Sequence, residues 1–241
     1  LLNIYDKPMV YYALSTLMLG GIREILIIST ARDSNIFERL IGDGGRFGMT
    51  IKYAIQEKPN GIADAFNIAE SFLDGSPVAL ILGDNLIHGN DLIKYLFNAN
   101  KSDDRAHIFA YRLNDPNRYG IVEFDKNNKI ISIEEKPKKP KSKYAIIGLY
   151  YYDNSVIEKT KKIKSSARGE LEITAINQIY LQENKLFAEI LGRGIAWFDT
   201  GTTDSLYEAS GYVRSLQNRQ GLIIGSPEEI AWRNNWISTK K

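Results

Sequence analysis

Cysteine is absent from the 241 residues, and histidine occurs only twice. The first absence excludes disulfides, thiolate metal sites and cysteine nucleophiles among these residues. The second leaves little for imidazole chemistry: His88 and His107 have no partner at metal-site spacing and read as structural. No apolar run approaches the ~20 residues needed to cross a bilayer. No signal-peptide pattern is present either, so the expected location is the cytoplasm. An excess of one charge is also missing. Lys and Arg number 31 against 29 Asp and Glu, interspersed, for a net charge of +2. Attraction to nucleic acid or a membrane surface is therefore not expected. The one basic run, Lys136 to Lys143, carries two prolines and reads as a solvated connection.

What is present is an ordinary globular composition, 44% apolar and 25% charged, long enough for one large α/β domain. The stretch Val78-Ala79-Leu80-Ile81-Leu82-Gly83-Asp84-Asn85 organises the chain. Its apolar run reads as a strand buried on both faces. Open α/β sheets bind ligands beyond the carboxyl ends of their strands, which places Asp84 at the mouth of a crevice. An acid there is either a metal ligand or the N-cap of the next helix. Gly194 to Thr202 repeats the pattern, an apolar strand ending in Asp199 and a Gly/Thr turn. Two lone carboxylates at strand ends suit Mg2+, which keeps several waters and takes only one or two protein carboxylates. The arrangement points to phosphoryl or nucleotidyl transfer.

In chain order, Pro8 to Leu19 reads as a helix stopped by Gly20-Gly21. Strands are expected at 25–28, 51–56 and 78–82, with helices at 34–41, 62–73 and 91–98 between and after them. This alternation argues for a doubly wound, mostly parallel sheet with Rossmann-like character. After His107 the rhythm becomes β-rich. Strands at 107–112, 121–124, 129–134 and 144–152 are followed by a helix at 171–181, strands at 186–191 and 195–199, and a helix at 203–216. Pro227-Glu228-Glu229 starts a last helix near two Trp residues. No internal repeat or long linker divides the chain.

Several other residues carry possible chemistry. In Glu134-Glu135-Lys136-Pro137, Pro137 fixes the backbone and pushes Lys136 towards an extended conformation. A rigid Glu-Lys pair can hold a sugar hydroxyl and a phosphate, or be surface charge on an exposed edge. Tyr119-Gly120 is a turn, or a ring covering a sugar face beside an amide open to a ligand hydroxyl. Gln56 is a surface amide or a reader of a base edge. Arg168 meets phosphate, or the Arg168-Gly169-Glu170 segment caps the next helix. The scarcity of His and Cys fits attack by a phosphate monoester, already largely anionic near neutral pH, which needs no general base. Positioning and charge neutralisation then suffice.

Together these motifs resemble the glucose-1-phosphate thymidylyltransferases of the sugar nucleotidyltransferase superfamily. The resemblance is carried by Ile4-Tyr5-Asp6-Lys7-Pro8, Leu82-Gly83-Asp84-Asn85, Asn114-Asp115-Pro116 and Arg118-Tyr119-Gly120. It continues through Glu134-Glu135-Lys136-Pro137, Gly148-Leu149-Tyr150, Ala167 to Thr174 and Asp199-Thr200-Gly201-Thr202. It implies a nucleotidyltransferase fold with an added β-rich sugar-binding part. The implied reaction joins dTTP and α-D-glucose 1-phosphate to give dTDP-glucose and pyrophosphate, the first step towards dTDP-rhamnose. On the matching motifs, Asp84 and Asp199 would hold Mg2+, and Gln56 with the backbone at Gly61 would read thymine. Glu135, the Gly120 amide and the Ile146 backbone would bind glucose, with Tyr119 and Tyr150 around it. Lys136 would meet the sugar phosphate with Arg168 assisting, and Asn85 would lie beside the nucleotide. A homotetramer is implied, with 221–241 as an interface segment.

The chain departs from the family at Asn3, where a proline is usual, and at Ala175, where an acid commonly stands. Residues 1–241 are expected to form a single domain. The family's opening strand and Gly-rich loop, of the type G-x-G-T-R-L-x-P-x-T, would precede the position of Leu1. Without them the rival reading is a non-catalytic nucleotide-sugar binding or regulatory subunit. A third is an enzyme using UTP or another sugar phosphate.

Overall fold

A computed structural model describes residues 2–101 and 104–239. The chain begins with a small hairpin, β1 (Asn3–Ile4) and β2 (Lys7–Pro8), before α1 (Val10–Leu19). There follow β3 (Glu24–Ser29), α2 (Ala31–Ile41), β4 (Thr50–Ile55), α3 (Asp64–Leu73), β5 (Val78–Ile81), β6 (Asn85–Gly89) and α4 (Leu92–Asn100). The β-rich part comprises β7 (Ala106–Arg112), β8 (Gly120–Phe124), β9 (Ile130–Glu135) and β10 (Tyr144–Tyr152). The remainder is α5 (Val156–Thr160), α6 (Ile173–Gln182), β11 (Leu186–Ile190), β12 (Ile195–Asp199), α7 (Thr203–Gln220) and α8 (Pro227–Arg233).

β10 holds the fold together. Its sequence Tyr-Ala-Ile-Ile-Gly-Leu-Tyr-Tyr-Tyr is apolar on both faces, and all but its first residue are buried. It pairs antiparallel with β7 on one edge and with β8 and then β5 on the other. β11 adds in parallel to β7, and β9 adds to β8. The largest apolar cluster packs α3, α5 and α6 on one face, through residues such as Phe66, Ile157, Ile176 and Tyr180. A second cluster, with Leu96, Phe109, Ile147 and Trp197, fills the other.

The expected α/β class is observed, with a mixed central sheet. Parallel pairing among the described residues occurs at β3–β4 and β7–β11, and the other pairs are antiparallel. The alternation suggested more parallel pairing because β6 is illegible as a strand: Asn85, His88 and Gly89 interrupt its apolar character. The chain does not cross over by a helix after β5 but turns at Gly83-Asp84 directly into β6. Asp84 therefore caps no helix. Pro8 belongs to the opening hairpin rather than to α1, and α2 begins earlier than expected because Thr30 caps it, its hydroxyl accepting from the Asp33 amide at 3.3 Å.

Among the described residues β3 bonds only to β4, and β5 only to β10. Both strands line a cavity of about 890 Å³ together with Phe66, Leu73 and Tyr152, and its walls extend to Gln56, Gly61 and Gly83. No helix among the described residues is long and apolar enough to cross a membrane.

Candidate active site

The two strand-end carboxylates meet because β6 and β12 pair antiparallel with Asn85 opposite Asp199. Thr200 locks the corner: its amide and hydroxyl both donate to the Asp84 carbonyl, at 2.9 and 2.7 Å. A Cβ built on Gly201 would lie 3.1 Å from Asp199 Oδ1 and 3.5 Å from Asp84 Oδ2, so the two carboxylates flank that glycine. Burial raises the Asp84 pKa. A bond from Asn85 pulls it down, and the neighbouring Asp199 charge pushes it up again. Among the described residues the only side-chain cation paired with either acid is Arg118, 4.0 Å from Asp199 Oδ2 and mostly exposed. Two half-sheltered carboxylates with so little internal neutralisation fit a hard divalent cation. No group of three or more metal-binding side chains exists among the described residues.

Elsewhere in the site, β8–β9 pairing sets Gly120 opposite Glu135. A Cβ on Gly120 would lie 3.3 Å from Thr174 Oγ1, 3.5 Å from Glu135 Oε2 and 3.6 Å from Ile146 Cδ1. Four residues from four elements thus converge, and the missing side chain leaves access to the Gly120 backbone. The Thr174 hydroxyl donates to Glu135 Oε2, and Arg168 donates to Glu135 Oε1 at 3.3 Å. Tyr119 packs edge-on against Trp197 with centroids 4.9 Å apart. Burial, then the Asp199 charge, pushes its phenol up to about 12. Tyr150 is buried in the core and stacked on Tyr152, with Glu135 near enough to raise its pKa beyond the effect of burial.

Two local expectations need correction here. Lys136 is not extended but left-handed, with φ of 41°. Its amide donates to the Tyr119 carbonyl at 3.1 Å, and that tertiary bond overrides the preference imposed by Pro137. The half-exposed ammonium stands 3.9 Å from Glu135 Oε1. Glu170 does not cap α6: the N-cap is Glu172, without a side-chain cap bond. Arg168 instead grips Glu172, with Nη2 at 2.8 Å from both carboxylate oxygens.

Beside the large cavity, Gln56 Nε2 donates to the Gly61 carbonyl at 3.3 Å and to Asp64 Oδ2 at 3.2 Å. Gly61 has φ of 103°, and a Cβ there would sit 2.5 Å from the Leu171 carbonyl oxygen. This contact joins the Gln56–Gly61 loop to the Arg168–Glu172 segment, where the Leu171 amide donates to the Asn60 carbonyl at 2.6 Å.

Gln56 and Gly61 line the large cavity, which none of Asp84, Asp199, Glu135, Lys136, Gly120, Ile146 and Tyr119 lines. Arg168 bridges two glutamates, and Asn85 and Tyr150 are buried. Asp84 with Asp199, and Glu135 with Lys136, Gly120 and Ile146, form two groups; Arg118, 4.0 Å from Asp199, and Tyr119, packed on Trp197, join them into one candidate crevice. The two histidines stay outside it: His88 Nδ1 lies 2.8 Å from the Tyr212 hydroxyl, and His107 stacks on Phe187 at 5.6 Å. Sequence reasoning missed Arg118, Thr174, Glu172 and Trp197. A signal existed for Trp197: lying two residues before Asp199 on a strand, it shares that residue's face.

The family profile described as nucleotidyl transferase matches residues 1–215. A glucose-1-phosphate thymidylyltransferase of Neisseria meningitidis is 51% identical over 241 residues, which is all of this chain and 84% of that protein. One of Mycolicibacterium smegmatis is 53% identical, over 98% of this chain and 82% of its own length. A solved structure from Bacillus anthracis, described as a candidate glucose-1-phosphate thymidylyltransferase in complex with a sucrose, superposes with a TM-score of 0.84. It is 35% identical and is matched over 95% of this chain and 89% of its own.

Proposed function

The chain belongs to the nucleotidyl transferase family, alongside relatives named glucose-1-phosphate thymidylyltransferases, and from that premise we propose that it makes dTDP-glucose. A phosphate oxygen of α-D-glucose 1-phosphate attacks the α-phosphorus of dTTP. The bond from that phosphorus to the oxygen bridging to the β-phosphate breaks, and pyrophosphate leaves with that electron pair. No proton need be removed from the nucleophile, which fits a crevice whose own histidines lie elsewhere.

The observation that carries this reading is the convergence of Asp84 and Asp199 at one end of the crevice with Glu135, Thr174 and Gly120 at the other. Glu135 and the Gly120 amide hold glucose hydroxyls, with the Ile146 backbone, Tyr119 and Tyr150 shaping the pocket. Lys136 meets the sugar phosphate, and Arg168 joins it when released from Glu172. Gln56 and Gly61 face thymine. Asp84 and Asp199 would hold a divalent cation, and their hard carboxylate oxygens suit Mg2+; when bound, the ion would supply screening of phosphate charge. The protein acts in the cytoplasm as a homo-oligomer, with 221–241 as interface; exposed Leu222, Ile223 and Trp232 support that use of the segment.

The test incubates full-length protein with glucose 1-phosphate, Mg2+ and either dTTP or UTP, following products by phosphorus NMR. dTDP-glucose and pyrophosphate in equal amounts, with dTTP preferred, are expected. Absence of product overturns the enzymatic reading, and a preference for UTP overturns the assignment of base.

A further inference from the structure

Asn85 is 3% exposed, yet it lies next to a proposed cation ligand. Its amide orientation is fixed by chemistry. The Trp197 indole N–H and the Gly148 backbone N–H both point to the same atom, at 2.7 and 3.0 Å, and neither group can accept a hydrogen bond. That atom is therefore the carbonyl oxygen. The NH2 then has one direction left, and it donates to Asp84 Oδ1 at 2.8 Å.

Gly148 supports this arrangement sterically as well. A Cβ there would fall 2.8 Å from both terminal atoms of the Asn85 amide. The amide lies flat on bare backbone, at a place where β10 shifts register between Ile146 and Tyr150. Such irregularities bend a strand and re-aim its groups. Trp197 in turn packs on Tyr119, so the same indole touches both ends of the crevice. With Oδ1 of Asp84 occupied by Asn85, Oδ2 is the oxygen left to face Gly201 and Asp199.

We propose that Asn85, clamped by Trp197 and Gly148, is a positioning residue that aims Asp84 at the cation. The Asp84 and Asp199 carboxylates repel one another, and among the described residues no cationic side chain pairs with Asp84. The neutral donor of Asn85 fixes its rotation without competing for the ion as a positive charge would. The inference rests on the reading of Asp84 and Asp199 as cation ligands, and only on that part of the proposed function.

The test titrates Mn2+ into full-length protein, following free ion by electron paramagnetic resonance, in the wild type and in Asp84→Asn, Asn85→Ala, Trp197→Phe, Gly148→Ala and the Asn85→Ala/Trp197→Phe double variant. Loss of groups that orient a metal ligand weakens metal affinity by about 10- to 100-fold. Asn85→Ala is expected at the lower end of that range, with Trp197→Phe and Gly148→Ala weaker by about threefold or more. Because the residues act in series, the double variant should bind no worse than Asn85→Ala alone. In activity assays, excess Mg2+ should restore much of the Asn85→Ala turnover, whereas a general loss of structure would not respond to the ion. Wild-type Mn2+ affinity in folded Asn85→Ala overturns the inference, as does additivity in the double variant. If Asn85→Ala fails to fold, Trp197→Phe decides by the same criterion. Unchanged affinity in Asp84→Asn instead overturns the cation-site reading beneath it.

Discussion

The two ends of the crevice hold similar numbers of acids and treat them in opposite ways. Glu135 and Glu172 are neutralised from within: Arg168 spans both, Lys136 stands beside Glu135, and Thr174 donates to it. The Asp84 and Asp199 carboxylates accept from uncharged donors, Asn85 and the Gly201 amide, and among the described residues only Arg118 pairs with either as a cation, at 4.0 Å. A balanced site suits a neutral polyol, which exchanges hydrogen bonds without changing net charge. An unbalanced pair of carboxylates instead calls for a cation brought from solution. The structural frame divides as well: Gly120, Glu135 and Ile146 rest on β10 and its paired neighbours, whereas Gln56 and Gly61 line the large cavity between β3 and β5.

The largest expected effect removes charge from the unbalanced end. Asp84→Asn and Asp199→Asn in the full-length enzyme should each reduce turnover by at least about 100-fold, the scale seen when one preorganised electrostatic group is lost. Both should keep their fold, which circular dichroism would show. Near-normal rates at saturating Mg2+ would erase the distinction between the two ends.

Next comes the joint between the base-side loop and the sugar-side segment. Gly61→Ala forces a left-handed backbone on a residue with a Cβ and drives that Cβ into Leu171. A loss of roughly 2–4 kcal/mol in urea denaturation is expected. Gly83→Ala is the control: nothing lies within 4 Å of the new atom, so stability should stay within about 0.5 kcal/mol of wild type.

Glu135→Ala should impair use of glucose 1-phosphate more than use of dTTP, by about 1.5–3 kcal/mol in apparent binding. Initial rates with each substrate varied in turn separate the two constants. A change confined to dTTP would move Glu135 to the other end of the crevice.

The smallest effect lies outside the crevice. Burial, reinforced by Arg105, lowers the His107 pKa from 6.5 to about 4. The folded state thus binds fewer protons than the unfolded state between those values. The stabilisation from keeping His107 neutral is fully present above pH 6.5 and is lost as pH falls towards about 4. His107→Gln should flatten that acid-side loss by about 2 kcal/mol or less, allowing for partial solvent screening. Thermal melts from pH 7 to 4 would show it, and an unchanged slope would remove His107 from the acid response.

The sequence by itself determined which residues could do the chemistry and much of the scaffold that carries them. Apolar runs ending in Gly83-Asp84 and Phe198-Asp199 are legible because a buried strand must be apolar and a polar group at its end must face water or a ligand. β10 was readable from Tyr144 to Tyr152 for the same reason. Tertiary structure decided what those residues do to one another. The approach of Asp84 to Asp199 depends on β6, whose mixed residues hide a strand that becomes stable only when β12 lies beside it. The left-handed turn at Lys136 depends on a carbonyl from Tyr119, and the aim of Asp84 depends on Trp197 and Gly148 bonding one amide oxygen. These are contacts across long stretches of chain, and a local propensity worth a fraction of a kcal/mol gives way when such a contact satisfies a buried polar group.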